Sequence, residues 1–510
     1  DQEANGKLWR DPATILGLSA LLVLMLVASQ RFVLQEDEVL IYSQAMRPLG
    51  EVLARFLGGP GQHVHPPLSD LLLGLWIRLA GHHWDVLRLP NVIAFVAGVG
   101  LVAETARRLH GGVAAGRAVV ALALVWPYGV HSGWMFGWYS IAFLQVAALT
   151  LTYTAYRRQP SGGLLALLIL WSVILAWTNY FGLVLIGLLG IEFLIGHRKD
   201  RRIPWPPLLA WAAVTALSLL PLMTAFTNAW NERVGGEARG IVGRLAYGAW
   251  NGWLAIGGES IAPWAMPWSA LALLGCGAAV LSGLLAGRGA ARAALLGFAL
   301  SLAVLALIGQ SGAKRILFLT PWLLLGLGML AVEMSGRIHR VFIAGLSLTL
   351  GIGWLGVAIP ESYATLRFSD PWYEVASVSR SWIDDGGTVI GNHPTLFHLI
   401  GRTYFDSLGA AVLEPGAAPP GTIDAGAMTP PSLDGLQRVL LVESAGFVAR
   451  QERADLIFGR IRENCDRKWS RGLLPDNAAA FKNRFAAESS HRSYRIVLTA
   501  YECARPAGDD

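Results

Sequence analysis

Apolar stretches long enough to cross a hydrocarbon core recur about eleven times along this chain, at roughly 12–30, 91–107, 113–130, 136–156, 163–179, 180–196, 206–226, 263–287, 292–309, 316–334 and 341–360. Inside lipid a backbone must satisfy its own N–H and C=O groups, so stretches of this kind are read as helices. With 54% hydrophobic and 15% charged residues, and a mean hydropathy of +0.46, the 510-residue chain lies outside the composition of a water-soluble globule. The predicted fold class is a polytopic α-helical membrane protein.

The connections between these stretches alternate in charge. Every second one is short and basic: Arg107 and Arg108; Arg157 and Arg158; Arg198, Lys199, Arg201 and Arg202; Arg288 and Arg292; Arg337 and Arg340. By the positive-inside rule these ends are cytoplasmic, together with the start at Lys7 and Arg10. The opposite connections then face outward, including the long one from about 31 to 90. An odd number of spans places everything after about residue 360 outside too. The first stretch shares a basic start, an apolar run and small residues at Ala28 and Ser29 with signal peptides, but is expected to be retained as a span. The net charge of +6 forms no basic stripe with interleaved aromatics, so the expected surroundings are membrane lipids and not nucleic acid.

Two outward regions are large. In the first, Leu49, Val52, Leu53, Phe56 and Leu57 recur at helical spacing with Glu51 and Arg55 opposite, the pattern of an amphipathic helix lying in the interface. The stretch 68–80 is too short to span comfortably, contains Asp70 and Arg78, and reads as a second interfacial helix. Gly58, Gly59, Pro60 and Gly61 enforce a turn between them. In the tail, short apolar runs at 388–391, 437–442 and 494–501 read as strands and 451–463 as a helix, so a soluble α/β domain is expected. Pro415 to Pro431 reads as a surface loop within it. The predicted division is a transmembrane domain over 1–360, with interfacial helices at 31–90, and an outward domain over 361–510. Of the three cysteines, Cys276 falls in an apolar span and reads as a packing residue. Cys465 and Cys503 share the outward tail, where a disulfide between them is chemically permitted.

The residues that could carry chemistry stand at the outer ends of the spans. Glu36, Asp37 and Glu38 follow the first span, at the point where carboxylates become cheap again. Asp37 could remove a proton from an attacking acceptor, with its acidic neighbours and the nearby lipid raising its proton affinity. It could equally cap a helix beginning at Glu38. His63 and His65 flank Val64, a spacing that suits a metal or a phosphate, or a polar loop surface before Pro66 and Pro67. A divalent metal on these histidines is the one cofactor suggested. Lys314 and Arg315 sit in an outward connection against the basic-inside pattern, either holding a lipid phosphate or snorkelling to headgroups. Arg88, at the start of a span, carries the same two readings. His131, Trp138 and Tyr139 read as an interface belt. Asn179, Tyr180 and Phe181 mark one outer turn, and Asn228, Asn231, Glu232 and Arg233 another outward loop. No Walker loop, dinucleotide fingerprint, zinc-protease helix or nucleophile elbow stands in a supporting context, which argues against an enzyme driven by bound nucleotide.

Taken in order, these residues resemble a family. Asp37-Glu38 after the first span, His65-Pro66-Pro67-Leu68, Arg88-Leu89-Pro90-Asn91 opening the second span, Thr178-Asn179-Tyr180-Phe181-Gly182 and Lys314-Arg315-Ile316-Leu317 are similar in order and sidedness to the GT-C glycosyltransferases. The branch resembled contains the protein O-mannosyltransferases and the aminoarabinose transferases that modify lipid A. The resemblance covers roughly 12–335. It implies an inverting transfer of a sugar from a polyprenyl-phosphate donor to an envelope glycan, lipid or protein acceptor on the outer side of the membrane. The Gly- and Arg-rich composition is compatible with a bacterium, so the expected location is the plasma membrane, with a periplasmic active face and a periplasmic C-terminal domain. By the same likeness Asp37 is the catalytic base, with Glu38 beside it, and Arg315, Lys314, His65 and Arg88 contact the donor phosphate. The chain departs from the pattern at His65, where many relatives carry Lys, and at Asn179, where a His often stands. Two readings from other classes stay open: a lipid or glycan transporter or flippase, which predicts functional polar residues near the bilayer midplane, and a noncatalytic assembly protein.

Overall fold

The computed structural model describes residues 8–31, 36–45, 47–57, 66–81, 84–198, 204–223, 226–227, 240–258, 268–287, 289–358, 372–392, 396, 421–425, 432–433, 435–443, 448–473 and 496–503. It forms two compact units, one of residues 1–32 and 44–359, the other of 33–43 and 360–510. The division differs from the predicted one in grouping 33–43 with the tail.

The first unit is helical. Helix α2 (Glu36–Ala45) has its residues up to Ser43 grouped with the second unit, and the helices of the first are α1 (Pro12–Arg31), α3 (Leu49–Leu57), α4 (Leu68–Ala80), α5 (Trp84–Leu87), α6 (Leu89–His110), α7 (Val113–Leu124), α8 (Pro127–Ser132) and α9 (Trp138–Arg158). They continue as α10 (Gly162–Thr178), α11 (Gly182–Arg198), α12 (Trp205–Ser218), α13 (Ile241–Gly257), α14 (Trp268–Ala286), α15 (Gly289–Leu307), α16 (Thr320–Glu333) and α17 (Gly336–Ala358). Among the described residues, five helical stretches are long and apolar enough to cross a membrane: Pro12–Ser29, Leu89–His110, Trp205–Leu222, Gly289–Leu307 and Lys314–Glu333. Shorter apolar helices are Val113–Leu124, Gly162–Thr178, Gly182–Gly196 and Ala270–Leu285.

Small residues let these helices approach closely. Gly275 of α14 and Gly345 of α17 meet so tightly that a Cβ on either would lie 2.7 and 2.4 Å from the other's carbonyl oxygen. Thr349 ties the same crossing by donating to the Ala272 carbonyl at 3.0 Å. At the end of the unit where α1 begins, Asp11 accepts from the Thr14 backbone N–H at 2.9 Å and pairs with Arg117 of α7 at 2.5 Å. Arg117 first, and then the Thr14 hydroxyl, hold the Asp11 carboxyl well below the usual carboxylate range. The Glu104 carboxylate joins Arg107 and Arg108 at this same end, at 2.8 and 2.7 Å.

Three features differ from the sequence expectation. The stretch 113–130 is not one helix: Trp126 precedes Pro127, is held out of helical geometry at φ −93° and ψ 100°, and divides α7 from α8. The indole N–H of Trp126 donates to the Ala255 carbonyl at 2.7 Å, tying the break to α13. That helix was not expected, because Arg244 and Asn251 interrupt its apolar run. Its buried half packs on α15, where Gly248 and Gly252 admit Ala306 and Leu302. Finally, α2 begins at Glu36, so Asp37 is a first-turn residue of that helix and not its cap.

The second unit holds α18 (Trp372–Asp384), α19 (Val448–Asn464) and a five-stranded sheet. Its strands are β1 (Thr388–Gly391), β2 (Thr422–Asp424), β3 (Arg438–Glu443), β4 (Cys465–Leu473) and β5 (Ile496–Cys503), in the order β2-β1-β3-β5-β4. The first three strands are parallel, while β5 runs antiparallel to both β3 and β4. Both faces of β3 are covered, which is why it reads as an unbroken apolar run: Leu440 and Val442 pack with Val375 of α18, and Val439 and Leu441 with Phe458 of α19. β2 falls inside the stretch expected to be loop, and β4 was not expected, being an edge strand with exposed side chains over most of its length. A disulfide joins Cys465 to Cys503, residues that face each other in the β4–β5 register.

Candidate functional site

The segment joining α8 to α9 is pinned from several directions. Arg88, at the start of α6 and only 4% exposed, donates from Nη1 to the Ser29 carbonyl at 2.5 Å and lays its guanidinium 4.2 Å over the Trp134 ring. The Ser29 oxygen belongs to the last turn of α1, where carbonyls have no partner within the helix and a cation is favoured. Asn91, one turn further along α6, donates to the Gly137 carbonyl at 2.7 Å, and the Ser140 hydroxyl donates to the Gly133 carbonyl at 2.6 Å. Gly137 has φ +151° at the start of α9, a conformation a side chain would strain.

The same end of the unit receives the cationic turn. Residues Ala313–Leu319 form a 3-10 turn packed along α9, with Phe318 6.2 Å from the Trp138 ring. Ile316, Leu317, Phe318 and Leu319 are fully buried, so the turn is anchored by its second half and presents Lys314 and Arg315 on its half-buried first half. Arg315 Nη1 donates to Gln310 Oε1 at 2.8 Å, and Gln310 is itself 2% exposed. Such a fixed guanidinium keeps further N–H groups for an anion.

A third group of residues is uncharged. Gln145 of α9 donates from Nε2 to Thr178 Oγ1 at 2.9 Å, and that hydroxyl donates to the Ile174 carbonyl at 2.9 Å. Asn179, which ends α10, accepts the Phe181 backbone N–H on Oδ1 at 3.1 Å. The Tyr180 ring packs with Val52 of α3 and Leu222, and Leu71 of α4 lies against the same cluster. The two expected interfacial helices therefore cover the α10–α11 turn.

Of those helices, α4 carries a buried carboxylate. Its inward face is Ser69, Asp70, Leu73, Gly74 and Ile77. Burial pushes the Asp70 carboxyl up to about 7, opposed in part by the Ser69 hydroxyl. Arg78 at the far end of α4 donates to the Gly74 carbonyl at 2.7 Å and to the Arg47 carbonyl at 2.6 Å, clasping the segment after α2.

The structure thus brings Arg88, Lys314 and Arg315 to one end of the helical unit, with Arg88 engaged by Ser29 and Trp134. Asp37 and Glu38 lie on the part of α2 grouped with the second unit, where the Glu38 side chain is fully buried. His63 and His65 lie outside the described residues. Among the described residues, no group of three or more His, Cys, Asp or Glu side chains could hold a metal ion. Gln145 and Gln310 were not singled out from sequence, since a lone amide in an apolar stretch carries no periodic signal.

Comparison with known proteins follows the same lines. Residues 64–224 match the family model described as dolichyl-phosphate-mannose-protein mannosyltransferase. A search of curated protein sequences finds no match. Among solved structures, the chain is similar to the crystal structure of ArnT from Cupriavidus metallidurans bound to undecaprenyl phosphate, with a TM-score of 0.52 and 13% identity over 95% of this chain and 97% of that one. The apo state of the same protein gives a TM-score of 0.43 at 13% identity, covering 95% and 97% of the two chains. The likeness to the undecaprenyl phosphate-bound structure shows that the chain shares the ArnT fold.

Proposed function

We propose that this protein is a membrane-bound glycosyltransferase that moves a sugar, with inversion, from a polyprenyl-phosphate donor to an envelope glycan, lipid or protein acceptor on the outer face of the membrane. The observation that carries the reading is the cationic turn: Arg315, held by Gln310, and Lys314 share one end of a helical unit whose fold is also that of a protein crystallised with undecaprenyl phosphate. The match of residues 64–224 to a mannosyltransferase family model adds the reaction class. The alternation of basic connections supports eleven passes, with this end outward.

The chemistry needs little beyond what such residues provide. An acceptor hydroxyl or amine attacks the anomeric carbon, the bond from that carbon to the phosphate oxygen breaks, and the polyprenyl phosphate leaves with the bonding pair. Asp37 takes the acceptor proton, with Glu38 beside it in sequence. Arg315 and Lys314, with His65 and Arg88 as further candidates, neutralise the charge gathering on the leaving phosphate. A lipid-borne donor removes any need for a soluble nucleotide sugar outside the cell. Gln310 acts through Arg315 as a positioning residue.

Purified protein incubated with radiolabelled undecaprenyl-phosphate mannose or glucose, and with envelope extracts as acceptor, tests the proposal. Transfer or slow hydrolysis of the sugar is the expected result. Stable donors moved between leaflets of a proteoliposome without cleavage would favour the flippase reading instead.

A further inference from the structure

We infer that Gln145, Asn179 and Tyr180 form an uncharged subsite that recognises hydroxyl groups of the transferred sugar. The inference rests on the glycosyltransferase reading and names the part of that site which would read the sugar, as distinct from the cations that would read the phosphate.

All three side chains are more than nine-tenths buried, with exposures of 3%, 0% and 5%. Each nevertheless keeps a polar atom with no partner among the described residues: Gln145 Oε1, Asn179 Nδ2 and the Tyr180 hydroxyl. Leaving such groups unpaired in a packed interior is costly, so native proteins reserve them for a ligand or a bound water.

The hydrogen-bond network fixes which atoms face the free direction. Thr178 spends its only hydrogen on the Ile174 carbonyl, so toward Gln145 it can only accept. Gln145 must therefore point Nε2 at Thr178 and leave Oε1 as an acceptor. Asn179 must point Oδ1 at the Phe181 N–H, which leaves Nδ2 as a donor. Tyr180 adds a hydroxyl that can do either.

Acceptor, donor and amphoteric hydroxyl, carried by two consecutive residues of the turn and by the α9 side chain bonded to the residue before them, match a sugar ring, whose hydroxyl groups each donate and accept. They match a phosphate poorly, because an anion offers no hydrogen to Gln145 Oε1. Gln145 ties the turn to α9, on which Trp138 stands two turns nearer the helix start, about 10 Å away along the axis. That helix start is also where the cationic turn packs, through Phe318.

The test uses Tyr180→Phe in the full-length protein, since it removes one oxygen and keeps the ring packed on Phe226. Three quantities are compared with wild type: affinity for undecaprenyl phosphate lacking a sugar, KM for undecaprenyl-phosphate mannose or glucose, whichever is turned over, and the melting temperature without ligand. The subsite predicts a KM raised about tenfold, unchanged affinity for the bare lipid phosphate, and a melting temperature without ligand that is equal or higher, because an unpaired buried hydroxyl has been removed. Asn179→Leu should shift KM in the same direction. A lowered melting temperature in the unliganded Tyr180→Phe protein would show that the hydroxyl is already satisfied, and would overturn the inference. So would an unchanged KM, or an equal loss of affinity for donor and bare lipid phosphate. If wild type turns over neither donor, the parent reading fails and the subsite with it; if wild type is active and only the variant result differs, the subsite alone fails.

Discussion

Arg315 Nη1 lies 2.8 Å from Gln310 Oε1, joining an exposed-side cation to an amide that is 2% exposed. Gln310 follows the end of α15 and its side chain is fixed in the interior, so it sets the direction of the guanidinium. An arginine held in this way loses less rotamer freedom when it meets a phosphate than a free one would.

Arg315→Ala should therefore weaken binding of undecaprenyl phosphate by roughly ten- to more than hundredfold, the range of about 1.5–3 kcal/mol for a charge-assisted contact. Gln310→Ala should give a smaller loss of the same sign. Direct binding measurements on both variants check this, and unchanged affinity in Arg315→Ala would move the phosphate contact to another cation.

Arg88 offers a contrast. Its guanidinium is buried between the Ser29 carbonyl and the Trp134 ring, so removing it strips a partner from the end of α1 and leaves a gap against an indole. Arg88→Ala is expected to lower the thermal midpoint of the purified protein, whereas Arg315→Ala leaves it close to wild type. Equal midpoints for the two variants would indicate that the Arg88 contacts contribute no net stability.

How much of this could be read beforehand depended on the physics of each element. The hydrocarbon core demands long apolar stretches, so the helices from α9 to α11 and from α14 to α17 were legible to within about five residues, while α12 ends at Ser218, short of the 226 expected. Trp126-Pro127 was present as a break signal, but apolar residues on both sides concealed it. α13 was missed because Arg244 and Asn251 interrupt a run that is otherwise apolar. At the site, Lys314 and Arg315 stood out as cations on the wrong side of a charge pattern. The contact between Gln145 and Thr178 left no such trace, since it joins neutral residues 33 positions apart.

The Cys465–Cys503 bond closes a segment of 38 residues between adjacent strands. Loop-closure entropy puts its contribution at about 4 kcal/mol in the chain-entropy model. Mild reduction, or Cys465→Ser with Cys503→Ser, should lower the unfolding transition of the second unit. Differential scanning calorimetry of the full chain reads this, and two freely alkylated tail cysteines in untreated protein would contradict the bond itself.

Asp70 gives a pH signature. Its carboxyl is raised to about 7 by burial, against an ordinary value of 3.8, so the folded protein binds a proton that the unfolded chain has released between those values. Stability is then greatest below the unfolded value and declines as the pH rises from about 4 to about 7. Asp70→Asn should flatten that part of the profile and stabilise the protein at neutral pH by on the order of a few kcal/mol. Parallel pH profiles for the two proteins would exclude Asp70 as the source.

The last prediction concerns Asp37. Because α2 starts at Glu36, Asp37 does not serve as the helix cap, and Asp37→Asn is expected to preserve folding while removing the anionic oxygen a base requires. The variant should bind undecaprenyl phosphate as wild type does and lose sugar transfer by about a hundredfold or more. Its remaining rate should also lose any dependence on the ionisation of a carboxylate, which a pH–rate profile of both proteins would show. Near-normal turnover in a well-folded Asp37→Asn protein would defeat the assignment, and the acidic neighbour Glu38, tested as Glu38→Gln, would then be the next residue to examine for the proton transfer.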